Sequence, residues 1–253
     1  MNKRAIIRQT RRPIVILNRH TREASDNDQE MIKNGDIEKS DNMTSPIFVC
    51  VATGPSVTQD QIDLLMSSFD RSQLEIICVN DSWRWKYQDE FIGDHVYAAD
   101  PPWWGMYREE IVKEGFKGKL WIPMSKASSD KYDLNLVPFA SKPGLGKDGK
   151  IHSGSHSGYQ AINLAYMMGA KKILLLGYDM KVANDGKIHF FGSHPKGLRN
   201  TPAAYARWIK NYELLAKDLK DEGVEVINCN PDSAIPFFTK VPLKNVQLSK
   251  SNS

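Results

Sequence analysis

The stretch that most constrains this chain is Ile47 to Ala52, a nearly all-apolar run, followed at once by Thr53-Gly54-Pro55-Ser56. The run is partly β-branched and aromatic. Such a run predicts a strand buried on both faces, as in the parallel sheet of an α/β domain. Thr58 with Gln61 three residues on has the capping-box spacing of a helix start. A strand, a tight glycine turn and a helix start aim backbone N–H groups at an anion, and Gly54 would let the backbone come close to a phosphate. A plain strand-to-helix turn would use the same residues, so the turn by itself leaves both readings open.

The pattern repeats along the chain. Leu74–Val79, His95–Ala99, Leu120–Ile122, Ile173–Leu176 and Val224–Ile227 read as further strands. Helical spacing connects Ile62, Leu65, Met66 and Phe69. It recurs in Trp103, Trp104, Tyr107 and Ile111 after Pro101-Pro102, and in Ala161, Leu164, Ala165 and Met168 after Ser157-Gly158. Trp208, Tyr212, Leu215 and Leu219 follow a Thr201-Pro202 start, and Gly169 and Gly223 stand as C-caps. Alternating strands and helices predict an α/β, Rossmann-like, doubly wound and mainly parallel sheet with helices on both faces, over residues 46–240. Met124 to Lys150 shows no period and is expected to be a long loop, a candidate lid.

The flanks differ. In residues 1–45, seven lysines and arginines from Lys3 to Arg22 precede any acid, and acids then dominate. This predicts a mostly disordered, charge-segregated arm. Its basic half could touch nucleic acid, but a solvated tail is the preferred reading. Residues 241–253 are expected to fray.

Net charge is +4, too small by itself to imply nucleic acid, and 41% hydrophobic with 25% charged residues suits a globular protein. Cys50, Cys78 and Cys229 are an odd number in apolar runs, which points to buried free thiols in a reducing compartment. No apolar run reaches the roughly eighteen residues of a membrane span. The N-terminus lacks a signal peptide's apolar region. A cytoplasmic location is expected.

In doubly wound sheets ligands bind beyond the carboxyl ends of the strands. That rule selects Thr53, Gly54, Pro55 and Ser56, then Asn80 and Asp81, then Asp100, then Tyr178 and Asp179, with the Ser157-Gly158 helix start on the same rim. A glycine turn and helix N-termini suit a phosphate. The polar residues could hold a ribose, a base edge or a metal, or simply close turns. His152, His156, His189 and His194 could act as base or acid near neutral pH. They stand in loops without the tight spacing of a zinc site, so no metal is assigned. Gly144-Leu145-Gly146-Lys147 looks like a phosphate loop, but no GxxxxGK[ST] occurs and no strand leads into it; Thr53-Gly54-Pro55-Ser56 is not GxGxxG, and there is no GxSxG nucleophile elbow. Asp26-Asn27-Asp28 looks like a metal-binding DxD but falls in the arm. The Trp and Tyr residues at 83–107 could stack a base or a sugar, or fill the core.

The strings ATGPS, VND, SGYQAINLAYMMGAKKILLLGYDM and INCNPDSAIPFF, spread over 46–238, resemble bacterial lipooligosaccharide sialyltransferases and their wider superfamily. That superfamily includes motility-associated glycosyltransferases and 6-hydroxymethylpterin pyrophosphokinases, and uncharacterised phage and prophage proteins carry similar strings. The resemblance implies a Rossmann-like transferase that grips a CMP-sugar-like donor and needs no metal or other cofactor. Gly54, Pro55 and Ser56 match the family's G-N-G-P-S turn, with Thr53 in place of its Asn and Ala52 in place of its first Gly. Asn80, Ser157, Gly158, Gly177 and Asp179 match further positions. The resemblance implies His194 as catalytic base, with His189 second and Asp179 as a further catalytic candidate. The family's arginine before Ser-Gly is missing, since Gly154-Ser155-His156 stands there. That departure speaks against sialic acid itself. The expected partners are the donor and a hydroxyl acceptor. Two alternatives stay open: Mg²⁺-dependent diphosphate transfer from ATP with Asp100 and Asp179 as ligands, and an inactive nucleotide- or partner-binding module.

Overall fold

In the chain's computed structural model, residues 45–123, 126–195, 198 and 202–247 are described. The arm expected over 1–45 lies outside them except for Ser45. The elements run in chain order as β1 (Ile47–Val51), α1 (Gln59–Ser68), β2 (Leu74–Val79), β3 (Lys86–Tyr87), β4 (Glu90–Phe91), β5 (His95–Tyr97), α2 (Pro101–Lys113) and β6 (Lys119–Pro123). Then come α3 (Lys126–Tyr132), β7 (Asn135–Val137), β8 (Phe139–Ala140), β9 (Ile151–His152), α4 (Ser157–Met167), β10 (Lys172–Leu176), α5 (Tyr205–Asp221), β11 (Glu225–Asn228) and β12 (Thr239–Lys240).

Among the described residues one eight-stranded sheet has the order β12-β11-β10-β1-β2-β5-β6-β7, parallel throughout. β1 lies at its centre: Val49 stands opposite Leu174 on one side and Ile76 on the other. Its side chains alternate between two cores. Phe48 and Cys50 enter the core shared with α4 and α5, and Val49 and Val51 enter the core shared with α1 and α2. Burial on both faces is what the unbroken apolar run encodes, because neither pleat face can tolerate a polar side chain. α4 is buried from Ser157 through Ala165, whereas α5 buries only the Tyr212, Leu215 and Leu219 stripe. The fold class is therefore the doubly wound, Rossmann-like α/β sheet that the sequence predicts.

Thr58 caps α1, its side chain accepting from the Gln61 N–H at 3.3 Å. Pro101 opens α2, at the position where a missing N–H costs nothing. The expectation of a long loop is corrected. The segment 124–150 is not an open loop: it carries α3, the edge strand β7 and β8, and β8 pairs with β9. Leu145 is buried there, and the N–H groups of Gly144, Leu145 and Gly146 are accepted by Tyr159, Asp218 and Asn163 side chains. A segment held in this way is a fixed part of the domain rather than a lid. The Trp83–Tyr87 region forms a 3₁₀ turn over Asn80–Arg84 and then the β3–β4 hairpin. Finally, β12 adds a strand after β11. Of the 241–253 segment expected to fray, Leu243 is buried in the core, and 248–253 lie outside the described residues.

Candidate functional site

The chain leaves β1 toward β2, β5, β6 and β7, then returns to β10 on the other flank of β1. The strand order reverses between β1 and β10, and a doubly wound sheet opens a ligand crevice at that point. A cavity of about 430 Å³ sits there. Its floor is made by Thr53 and Gly54 after β1, Asn80 after β2, and Gly177 to Lys181 after β10. One wall is the start of α4, with Trp208 and Tyr205 of α5. The other holds Asp100, Trp103, His189 and His194.

Thr53, Gly54, Asn80, Asp100, Ser157, Gly158, Tyr178 and Asp179, which the strand-end rule selects, thus meet around one space, and His189 and His194 join them there. Pro55, Ser56 and Asp81 are not part of its lining. The Ser56 hydroxyl donates to Asp179 Oδ2 at 2.8 Å, and Asn230 Nδ2 donates to Asp179 Oδ1 at 2.9 Å. Burial raises the Asp179 pKa, and the Ser56 hydrogen bonds oppose that rise. A Cβ on Gly54 would stand 1.9 Å from Asp179 Oδ2 and 2.3 Å from the Gly177 carbonyl oxygen. Glycine is therefore required by the packing of the two turns, before any ligand is considered.

The two histidines are held in different ways. His189 Nδ1 is 3.0 Å from Thr53 Oγ1, and its ring stacks on Phe191 with centroids 5.0 Å apart. The Phe190 N–H donates to the Thr53 carbonyl at 3.0 Å, which pins this loop to the first turn. His194 lies 4.4 Å from His189 by ring centroids, and its Nδ1 is 3.7 Å from Asp81 Oδ2. Burial lowers the His194 pKa, while Asp81 and Asp100 pull the other way. Burial likewise raises the Asp100 pKa, against the pull of His194.

His156 has a different job. It is the N-cap of α4, its Nδ1 accepting from the Tyr159 N–H at 3.3 Å, and its ring packs on Trp208 and Tyr212. Burial lowers its pKa to about 3, so it stays a neutral imidazole at working pH. His152 is outside the cavity, with Nε2 3.0 Å from Asp148. Ser157 and Gly158 bring the first-turn N–H groups of α4 to the lining, groups for which a helix has no internal acceptors.

Asn80, Ser155 and Met180 have φ of 50°, 73° and 49°, and all three line the cavity. Residues with side chains seldom hold that conformation outside tight turns, and it gathers at functional sites. Sequence reasoning missed Ser155, Met180, Lys181, Tyr205 and Trp208 as lining residues, and Asn230 as a partner of Asp179. Asn230 carried a signal, because it lies just past a strand end, where the same rule would have selected it. Among the described residues no three His, Cys, Asp or Glu side chains are grouped to hold a metal, and no helix is long and apolar enough to cross a membrane.

Fold and crevice together define a Rossmann-like α/β protein with a cavity at the sheet's switch point. One solved structure of similar fold is the MAf glycosyltransferase from Magnetospirillum magneticum AMB-1, at 13% sequence identity and a TM-score of 0.55. The match covers 82% of this chain and 35% of that one, so this chain spans about a third of the larger protein. At that identity the likeness is one of fold. No protein-family model and no curated protein matches the sequence.

Proposed function

We propose that the chain is a glycosyltransferase, moving a sugar from a nucleotide-activated donor to a hydroxyl acceptor. The observation that carries this reading is the cavity over β1, β2 and β10, with a helix N-terminus on one wall and two histidines on the other. Its volume of about 430 Å³ suits a small-molecule ligand. The fold it shares with a glycosyltransferase supports the same class.

In this reading the phosphate of the donor lies at the N–H groups of Ser157 and Gly158, beside the Gly54 turn. Asn80 and Asp100 face the ribose or the base. The acceptor oxygen attacks the anomeric carbon, the bond to phosphate breaks, and the acceptor proton passes to His194. A CMP-linked sugar is the donor we favour, from the matches at Gly54–Ser56, Asn80 and Ser157-Gly158. A sugar bearing a carboxylate is disfavoured, because the arginine that the resembling family carries before Ser-Gly is replaced here by Gly154-Ser155-His156, and His156 is neutral. Mg²⁺ held by Asp100 and Asp179 fits less well, since both oxygens of Asp179 already accept hydrogen bonds from Ser56 and Asn230. The three cysteines are buried free thiols, which suits a reducing, cytoplasmic setting.

Calorimetric titration with CMP, UDP, GDP and ATP, each with and without Mg²⁺, tests the proposal. Metal-independent binding of CMP supports it. Tight binding confined to ATP with Mg²⁺ replaces it with diphosphate transfer.

A further inference from the structure

Asp81 follows β2 in the 3₁₀ turn and is 4% exposed. Its carboxylate is fixed from several directions. Trp103 of α2 donates its Nε1–H to Oδ2 at 3.0 Å. Arg84 Nε is 3.8 Å from Oδ1, and Arg84 is itself held by Glu110 of α2, with Nη1 2.5 Å from Oε1. A carboxylate this buried is costly unless its partners compensate it, so its position is a specified feature. His194 Nδ1 lies 3.7 Å from the same Oδ2. Asp81 is absent from the cavity lining, whereas His194 is part of it.

We infer that Asp81 is a positioning residue for His194, holding the imidazole with Nδ1–H toward the carboxylate and Nε2 toward the cavity. The inference deepens the transfer reading and rests on it for its catalytic meaning. Among the described residues, the other titratable groups placed near His194 include His189 on its own loop and Asp100 between β5 and α2, and Arg84 stands behind Asp81. At 3.7 Å the pair is an electrostatic contact, and that range suffices for the carboxylate to favour a proton on the facing nitrogen. In the chemical step the acceptor O–H proton moves to Nε2 as the new C–O bond forms and the anomeric carbon's bond to the phosphate oxygen breaks, the nucleotide leaving with that electron pair. The resulting imidazolium has an N–H on each side, and Asp81 faces the one at Nδ1. The proton then leaves to solvent. A buried carboxylate so placed does two things: it selects the tautomer whose lone pair faces the acceptor, and it favours the cation as it forms.

The test uses the full chain with ¹⁵N-labelled histidine, with the His194 signals assigned by their loss in His194→Gln. The expected neutral tautomer carries its proton on Nδ1. In Asp81→Asn the His194 titration midpoint should fall by about one pH unit or more, the shift expected for loss of an opposite charge at this range. A native His194 protonated on Nε2, or a midpoint unmoved in Asp81→Asn, overturns the inference. Should Asp81→Asn fail to fold, the tautomer of the native protein still decides. No donor or acceptor is needed, so these results stand apart from the outcome of the nucleotide titrations. Where transfer is measured, Asp81→Asn should lower kcat at least tenfold and leave KM for the donor within twofold; the reverse pattern would make Asp81 a donor-binding residue instead.

Discussion

Ser56 and Asp179 are 123 residues apart in sequence, and the hydroxyl of one donates to the carboxylate of the other at 2.8 Å. That bond ties the turn after β1 to the turn after β10 across the point where the sheet reverses its order. The Gly54 N–H adds a second tie to the Gly177 carbonyl at 3.0 Å. The floor of the cavity is thus built before any ligand arrives.

Gly54→Ala should destabilise the fold itself. The new Cβ would meet backbone at Gly177 and the fixed carboxylate of Asp179, and neither is the free end of a flexible side chain. Overpacking of this kind costs about 1–3 kcal/mol. Urea unfolding should show the loss in the absence of any nucleotide. From sequence alone one expects the glycine to be needed only for close approach to phosphate, so that its replacement spares stability. Unchanged stability in Gly54→Ala would restore that view.

His194→Ala should lower turnover by about 10²–10⁴-fold, the range for general-base assistance, with nucleotide affinity nearly unchanged. His189→Ala should do less, because its Nδ1 is engaged with Thr53. The pH profile has a definite sign. Burial disfavours the His194 cation and holds its pKa below the ordinary 6.5. The neutral, basic form therefore persists to lower pH, and the acidic limb of kcat should fall below pH 6.5. A limb above that value, or full turnover in His194→Ala, would remove the residue from the role.

Much of the fold was legible because burial on both faces leaves an unmistakable string. Val49 and Cys50 point to opposite cores, and both must be apolar. The short elements β3, β4 and β8 carry no such string: two residues cannot show a period, and their partners are distant or set by a turn. The segment 124–150 was misread for a related reason. Leu145 is a lone apolar residue among glycines and lysines, and its burial is decided by Asn163, Tyr159 and Asp218 far along the chain. For the site, the strand-end rule gathered eight residues around one cavity. It could not separate those that face the space from those one layer behind, such as Ser56 and Asp81. Asn-Asp after a strand gives two adjacent polar side chains, and only the 3₁₀ turn decides which looks inward.

Glu75 supplies an acid-stability prediction away from the site. Its carboxylate is 2.5 Å from His95 Nε2, and His95 Nδ1 accepts from Trp121 Nε1–H at 3.1 Å. The hydrogen bond from His95 lowers the Glu75 pKa below its usual 4.5, more than burial raises it. A carboxylate whose pKa is lowered by folding adds stability above its unfolded pKa, and that contribution is lost as pH falls through the folded value. The thermal midpoint should therefore decline below about pH 4.5. Glu75→Gln should start lower at pH 7 and decline less steeply. Parallel curves for the two proteins would show that the pair contributes nothing to acid unfolding.

Asn163 offers the sharpest test of what the Gly144–Lys147 segment is for. Its Oδ1 accepts from the Gly146 N–H at 2.7 Å and the His152 N–H at 3.3 Å, and its Nδ2 donates to the Gly144 carbonyl at 3.3 Å. The side chain is fully buried. Asn163→Ala would leave two backbone N–H groups without acceptors, at about 1–3 kcal/mol for each buried group. Stability should fall by that order, and hydrogen exchange at Gly146 should accelerate more than at β1. A phosphate loop needs free N–H groups, and here the Gly144, Leu145 and Gly146 N–H groups are already taken by protein side chains. Lys147 is likewise paired, its Nζ 3.4 Å from Asp218 and 3.5 Å from Glu222. Lys147→Ala should therefore leave nucleotide affinity unchanged while Asn163→Ala loosens the segment. A loss of nucleotide binding in Lys147→Ala, with the fold intact, would show that this loop reaches the ligand after all.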